Sequence, residues 1–203
     1  MEAVLEVADW RRQVAELYSR VRADPEPAHA HRVWREGRDR LFREHPQSPL
    51  PDDSPARDTG LPYWAYDRDL RFELPFEPTA EPAVRVIESS NDGSIRLRQI
   101  GHVTLAAISV RLDVWWLAQY AGGLFVPLRD GTAGSETYGG GRYLLDSAKG
   151  ADLGELGGRI VLDLNFAYHP SCRYNSAWEC PLAPEGNTTP VAIRAGELLS
   201  FEA

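Results

Sequence analysis

Most of the side chains in this sequence that could do chemistry fall in two polar connections. The first, residues 129–143, reads RDGTAGSETYGGGRY and carries Arg129, Asp130, Thr132, Glu136, Tyr138, Arg142 and Tyr143. Its glycines permit left-handed turns and let backbone N–H groups come close to a ligand. No Gly-Lys-Ser/Thr follows, so it is not a P-loop, and residues 139–141 do not match the dinucleotide fingerprint. A hairpin loop whose Asp and Glu pair with its own Arg129 and Arg142 is the competing explanation. The second connection, residues 163–172, reads DLNFAYHPSC and continues to Cys180 and Asn187. Asp163 and Asn165 alternate with Leu162 and Leu164 at the end of an expected strand, so they project to one face. On the inner face of a barrel, adjacent polar groups need partners. A bound polar ligand would supply them, and so would an Asp–Arg or Asp–backbone network under the loop.

In an enzymatic version of this site, Asp163 or Glu136 is the general base, its pKa raised by partial burial. Arg129 or Arg142 would grip a carboxylate or phosphate by paired hydrogen bonds. Tyr138, Tyr143 or Tyr168 would donate to a developing oxyanion. A nucleophilic Cys172 would need a base, for which His102, His169 and Asp163 are the candidates. Cys172 and Cys180 stand eight positions apart. That spacing admits a disulfide, though one is uncommon in a reducing cytoplasm. A zinc site would want two more ligands, and only His169 lies close by; the C-x₂-C pairs of structural zinc sites and the H-x-E…P-C-x-x-C pattern of zinc deaminases are missing. A structural thiol pair, a disulfide, a catalytic thiol and a metal ligand all stay open; no cofactor or metal is expected.

The elements that must position these groups can be read from periodicity. Val7, Trp10, Val14, Leu17 and Val21 recur at 3,4,3,4, the apolar seam of an amphipathic helix. The prolines of Asp24-Pro25-Glu26-Pro27 break it, having no N–H to donate. A second helix is expected over residues 28–44, with Val33, Trp34, Leu41 and Phe42 inward and a row of arginines outward. His29, His31 and His45, on or near these helices, are expected in solvent. Residues 46–82 hold eight of the 15 prolines together with many aromatics. Disordered segments are poor in aromatics, so this reads as an ordered wrap without regular structure.

From residue 83 the pattern turns to strands. Residues 83–88 and 94–105 flank Ser89-Ser90-Asn91-Asp92-Gly93, a hairpin-turn signal, with a bulge expected at Gly101. Ile108, Val110, Leu112, Val114 and Trp116 alternate with polar or outward residues, as in a half-buried strand. Residues 124–128, 142–145, 159–165 and 191–193 supply the rest. About seven antiparallel strands without intervening helices imply a mainly β fold, a barrel or sandwich carrying N-terminal helices. The whole, residues 1–203, reads as one domain: a helical extension at 1–45, a wrap at 46–82 and a β core at 83–203.

Composition narrows the function classes. Thirty acidic residues against 22 basic give a net charge of −8, spread evenly over the two parts of the chain, residues 1–80 and 81–203. No basic stripe is present for nucleic acid, and no basic amphipathic helix for a membrane surface. No apolar run is long enough to span a bilayer, and the first residues lack a secretion signal, so a cytoplasmic protein is expected. Lys149 is the only lysine, which leaves lysine-based chemistry a single candidate.

The two connections also carry a resemblance. HPQSPL at 45–50, GGLFVPLRDGTAGSETYGGGRYLLD at 122–146, VLDLNFAYHPSC at 161–172, CPLAPEGN at 180–187 and VAIRAGE at 191–197 resemble a bacterial and archaeal family defined only as domain of unknown function 1684. The resemblance implies that Arg129, Asp130, Thr132, Glu136, Tyr138, Tyr143, Asp163, Asn165, Tyr168, Cys172, Cys180 and Asn187 belong to the family's signature. It implies no activity. The sequence departs from the pattern at Leu164, where Phe is usual, at His169, where Asn is usual, and at Thr188, where Arg is usual. The last change removes a cation from the expected site, so if the family's ligand is anionic, this member would bind something else.

Two expectations follow. One is a β-barrel whose two connections enclose a pocket of about 300–1,000 Å³ for a small polar molecule, anionic or neutral, bounded by Asp163, Tyr168 and Glu136, with or without catalysis. The other is a non-catalytic structural or interaction module, a homodimer whose polar loops merely tie the barrel together.

Overall fold

The computed structural model describes residues 2–89, 93–118 and 120–199. Two long helices lead the chain, α1 at Glu2–Ala23 and α2 at Pro27–Glu44. Pro27 opens α2 where a missing N–H is no loss, and the His45 N–H closes it on the Leu41 carbonyl at 3.1 Å. The seam of α1 faces inward, with Leu17 and Val21 buried and Val7, Trp10 and Val14 half-buried. On α2, Trp34, Leu41 and Phe42 are buried as expected.

The same helix corrects two expectations. Arg38 does not join the outer arginines but points into the protein, and His31 and His45 are buried rather than solvated; only His29 is exposed. Each buried ring has partners that make its burial tolerable. His31 Nε2 meets the Asn165 carbonyl at 2.9 Å and the ring stacks on Trp34. His45 packs edge-on against Trp10. Burial drives the His31 pKa down to about 4, helped by the nearby Arg35 charge, so the ring is neutral at pH 7.

The proline-rich wrap is ordered, with Leu50, Leu61 and Tyr63 buried beneath it. It is more regular than expected: it contains α3 at Ala56–Thr59, β1 at Arg71–Leu74 and β2 at Glu77–Pro78. Pro78 is tolerated because β2 is an edge strand.

Seven further strands follow: β3 at Val84–Ser89, β4 at Gly93–Leu105, β5 at Val110–Leu117, β6 at Leu124–Leu128, β7 at Arg142–Asp146, β8 at Glu155–Leu156 and β9 at Arg159–Asp163. β3 and β4 pair from Val84–Arg98 to Ser89–Gly93; residues 90–92 of the expected turn lie outside the described residues. The β4–β5 register slips between Gln99 and Gly101. Only glycine fits there, since a Cβ on Gly101 would stand 2.3 Å from the Glu77 carbonyl oxygen. β5 alternates as expected up to Val114, and then Trp115 is buried as well. Its indole N–H donates to Asn187 Oδ1 at 2.7 Å, so the outer face of the strand is covered at that point.

All strand pairings are antiparallel. One sheet runs β2-β4-β5-β6-β7 with β3 added along β4, and a second runs β1-β9-β8. Leu74 and Leu162 of the smaller sheet share a core with Val103, Leu112 and Val126 of the larger. The sheets are not closed into a barrel. Beyond its pairing with β6, β7 makes isolated bridges, Tyr143 to Tyr168 and Asp146 to Ala151. β9 ends at Asp163, where a 3₁₀ turn at Leu164–Phe166 takes over and holds Asn165. Residues 191–193, expected as a strand, join no ladder; the Ile193 N–H donates to Asp130 Oδ2 at 2.7 Å instead. A second core, built on Leu17, Trp34, Leu41, Phe42 and Phe166, fills the space beneath the helices.

Candidate functional site

The two polar connections meet. Tyr143 and Tyr168 exchange backbone hydrogen bonds at 2.8 and 3.1 Å, the Arg129 N–H donates to the Asn187 carbonyl at 2.8 Å, and the Tyr138 N–H donates to His169 Nε2 at 3.1 Å. Where they meet, most of their polar side chains hold one another.

Arg142 is fully buried, and its guanidinium reaches Asp130 Oδ1 at 3.1 Å and the carbonyls of Ala195 and Ile193. Asp130 also takes the Thr132 hydroxyl at 2.9 Å, and Thr132 touches Thr137. Burial lowers the Arg142 pKa, with Asp130 pulling the other way. Asn187 receives Trp115 and donates to the carbonyls of Asp113 and Pro127 at 2.8 and 3.0 Å. Asp163 accepts from the Asn165 backbone and side chain at 3.0 and 2.7 Å and from the Tyr66 hydroxyl at 3.0 Å. Burial raises its pKa against those hydrogen bonds. Glu136 lies apart from all of these, at the surface, where Arg194 grips both its oxygens at 2.8 and 3.0 Å. Arg129 is exposed and donates to the Gly139 carbonyl at 2.9 Å. Asp163, Tyr168 and Glu136 therefore do not bound one hollow: Asp163 borders a small recess beside Arg71 and Phe166, away from Glu136.

The residues beside which a real cavity opens were not all singled out from the sequence. Glu197, 1% exposed, accepts from Arg38 Nη2 at 2.6 Å, from the His169 backbone N–H at 2.9 Å and from the Tyr174 hydroxyl; His169 Nδ1 lies 3.3 Å away. Burial alone would raise the Glu197 carboxyl, but Arg38 and His169 outweigh it and hold it at about 2. His169 is pushed down by its own burial, against the pull of Glu197. It is thus neutral, with its proton on Nδ1 toward Glu197 and Nε2 accepting from Tyr138. Arg38 comes from the helical cover and Glu197 from a segment that bridges Tyr63, so no local motif could have paired them. The only signal was that Glu197 ends the stretch at 191–197.

Beside this network, α1 and α2 lean over the bridge between Tyr143 and Tyr168 and leave a cavity of about 80 Å³. Its wall includes Trp10, Tyr18, Trp34, Phe42, Tyr143 and Tyr168, with Arg38, His169, Ser171 and Lys149 supplying polar groups. Burial raises the Tyr18, Tyr143 and Tyr168 hydroxyls far above the usual phenol range, so they stay protonated donors. The Tyr143 hydroxyl donates to the Pro181 carbonyl at 2.7 Å.

None of the bases considered for Cys172 serves it. His102 lies across the larger sheet with Glu77 and Arg111, Asp163 is held by Tyr66 and Asn165, and His169 Nε2 faces the Tyr138 N–H. Among the described residues no group of three His, Cys, Asp or Glu side chains is placed to hold a metal ion. No helix among them is long and apolar enough to cross a membrane.

Two comparisons place the chain among known proteins. The family described as "Protein of unknown function (DUF1684)" matches residues 57–198. The solution NMR structure of an uncharacterized protein from gene locus rrnAC0354 of Haloarcula marismortui shares 36% identity with it at a TM-score of 0.60, covering 85% of this chain and 94% of that one. No curated protein matched.

Proposed function

The chain belongs to the DUF1684 family, and we propose that it binds a small ligand in the cavity between α1, α2 and the Tyr143–Tyr168 bridge. The observation that carries this is six aromatic rings around one hollow that also has polar groups in its wall. Apolar walls with a few convergent polar groups are the usual composition of a ligand site. At about 80 Å³ the hollow is far smaller than the pocket expected from the sequence, and it suits a molecule no larger than one ring or a short acid. The flat body of such a ligand would lie among Trp10, Trp34 and Phe42. Its head would accept from the protonated Tyr18 and Tyr168 phenols. Lys149, 54% exposed in its side chain and 3.8 Å from Asp146, stands at the wall as a cation, which favours a carboxylate head. Arg38 adds less attraction because Glu197 already neutralises it. Asp163 and Glu136 lie outside this cavity, which favours binding over acid–base turnover.

The test is a screen of single-ring and short-chain carboxylates and their neutral amides, read by tryptophan fluorescence and thermal shift. Carboxylates are expected to quench fluorescence and raise Tm, and Tyr168→Phe and Lys149→Ala to weaken the effect about tenfold each, one hydrogen bond or charge contact being lost. If no compound shifts either signal at millimolar concentration, or if both variants bind as well as the parent chain, the proposal fails.

A further inference from the structure

We propose that the free edge of β3 pairs with the same edge of a second copy of this chain, antiparallel and about a two-fold axis at Val86, to form a dimer. β3 has β4 on one side only. The Gln99 N–H donates to the Ala83 carbonyl at 2.8 Å, and the pairs that follow are Val84–Arg98, Arg85–Leu97, Val86–Arg96, Ile87–Ile95 and Glu88–Ser94. In an antiparallel ladder the pairs that exchange hydrogen bonds alternate with pairs that do not. Arg85 and Ile87 therefore turn their N–H and C=O groups to β4, and Val84, Val86 and Glu88 turn theirs away. The far side of β4 keeps the same phase: the Ala118 N–H donates to the Arg96 carbonyl at 2.8 Å, which leaves Leu97 for β3. Among the described residues no group donates to or accepts from the backbone of Val84, Val86 or Glu88. Proline or a covering segment usually blunts such an edge. β3 contains no proline, and Val84 and Val86 are 56% and 50% exposed.

A second copy fits because the edge complements itself. A two-fold axis normal to the sheet keeps every side chain on its own face, so only residues an even number of positions apart can stand opposite one another. Centred on Val86, the pairing sets Val86 against Val86 and Val84 against Glu88. These are the residues whose backbone groups point outward, so every such pair can exchange both its hydrogen bonds. Charge also matches. Arg98 stands beside Val84, so Glu88 of one copy comes within reach of Arg98 of the other across the short valine side chain. Both are exposed, and among the described residues neither makes an ion pair. On the opposite face the stem of Arg85 covers Ile87 of the second copy while its charged head stays in water. One short edge buries less area than an obligate dimer needs, so the dissociation constant is expected at about 10–100 μM. No residue of β3 lines the cavity beneath the helices, so the pairing is independent of ligand binding there.

Sedimentation equilibrium of the full chain between about 5 and about 500 μM measures the association, and hydrogen exchange resolved by amide locates it. The dimer is expected to fill over this range. The amides of Val84, Val86 and Glu88 should exchange about threefold more slowly at the top of it than at the bottom, while those of Arg85 and Ile87, already bonded to β4, change little. Val86→Pro removes an N–H that points outward, which an edge strand tolerates, and Val86→Lys sets two like charges face to face. Each is expected to weaken the dimer about tenfold or more, and Val86→Lys, at an exposed site, to leave Tm unchanged. Glu88→Arg should weaken it about fivefold, and the double variant Glu88→Arg/Arg98→Glu should regain that loss. A chain that stays monomeric at about 500 μM leaves the edge to a strand of another protein and overturns the proposal. So does a dimer that Val86→Lys leaves intact, a charge-swapped double variant no tighter than Glu88→Arg, or concentration-dependent protection on the helices in place of these amides. The parent-chain measurements need no variant to fold.

Discussion

Arg38 and Glu197, 159 positions apart, meet at 2.6 Å with their side chains 10% and 1% exposed. Arg38 also donates from Nε to the Tyr63 hydroxyl at 3.0 Å and lies over the rings of Phe42 and Tyr168. One guanidinium thus ties together the helical cover, the proline-rich wrap and the segment around Glu197, which bridges Tyr63. It comes from outside the span matched by the family, whereas Glu197 lies inside it.

Removing one member of this pair should be worse than removing both charges. Arg38→Met leaves a buried carboxylate without its cation and is expected to destabilise the fold by about 3–5 kcal/mol. The double variant Arg38→Met/Glu197→Gln is expected to recover a large part of that loss. Urea denaturation of the three chains reads both values. A single variant as stable as the parent would show that the pair does not tie the cover down.

The buried histidine sets an acid limit. Burial depresses the His31 pKa in the folded chain from its ordinary 6.5 to about 4. Between those values the unfolded chain takes up a proton that the folded chain refuses, so stability is present above pH 6.5 and drains away as pH falls toward 4. In His31→Gln this part of the dependence should vanish. Melting curves of both chains across that window would show the parent losing more Tm than the variant; parallel slopes would refute the assignment.

The two acids of the first connection should separate cleanly. Asp130→Asn strands the fully buried Arg142 guanidinium and is expected to lose about 3 kcal/mol or more. Glu136→Gln breaks an exposed pair with Arg194 and should leave the unfolding midpoint where it is. Equal losses from both would mean that Glu136 does more than sit at the surface.

The bulge in β4 is a steric prediction. In Gly101→Ala the new methyl would stand 2.3 Å from the Glu77 carbonyl oxygen and 2.6 Å from the Phe76 ring, and backbone cannot yield as a flexible side chain can. About 2 kcal/mol or more of destabilisation is expected. Gly139→Ala, with its nearest neighbour at 3.8 Å, is the control and should be near neutral. Chemical denaturation compares the two.

How far these features were legible follows from how local each one is. The 3,4 seam of α1 and the alternation of β5 up to Val114 depend on neighbours a few residues away and were readable; the bulge was readable from Gly101 itself, although the group that demands a glycine there, the Glu77 carbonyl, belongs to β2. The strand β1 was hidden among prolines because it exists only by pairing Arg71–Leu74 with β9. Residues 191–193 have strand-like composition, yet their backbone was claimed by Asp130. Trp115 left the expected phase because Asn187, 72 positions on, offered its indole a partner. Several polar residues of the connections were visible from the start. That Asp130, Asn187, Asp163 and Asn165 hold the chain together, while Tyr143 and Tyr168 line a cavity, depended on which neighbours folding brought to each.

Short-range chemistry was enough to set helix, strand and turn along much of this chain, because backbone periodicity and proline or glycine sterics act within a few residues. Folding alone sent Arg38, one of 21 arginines in the chain, into the interior and chose Glu197 as the carboxylate it would meet. Those outcomes depend on desolvation and on contacts between segments far apart in order, and no stretch of residues carries either one by itself.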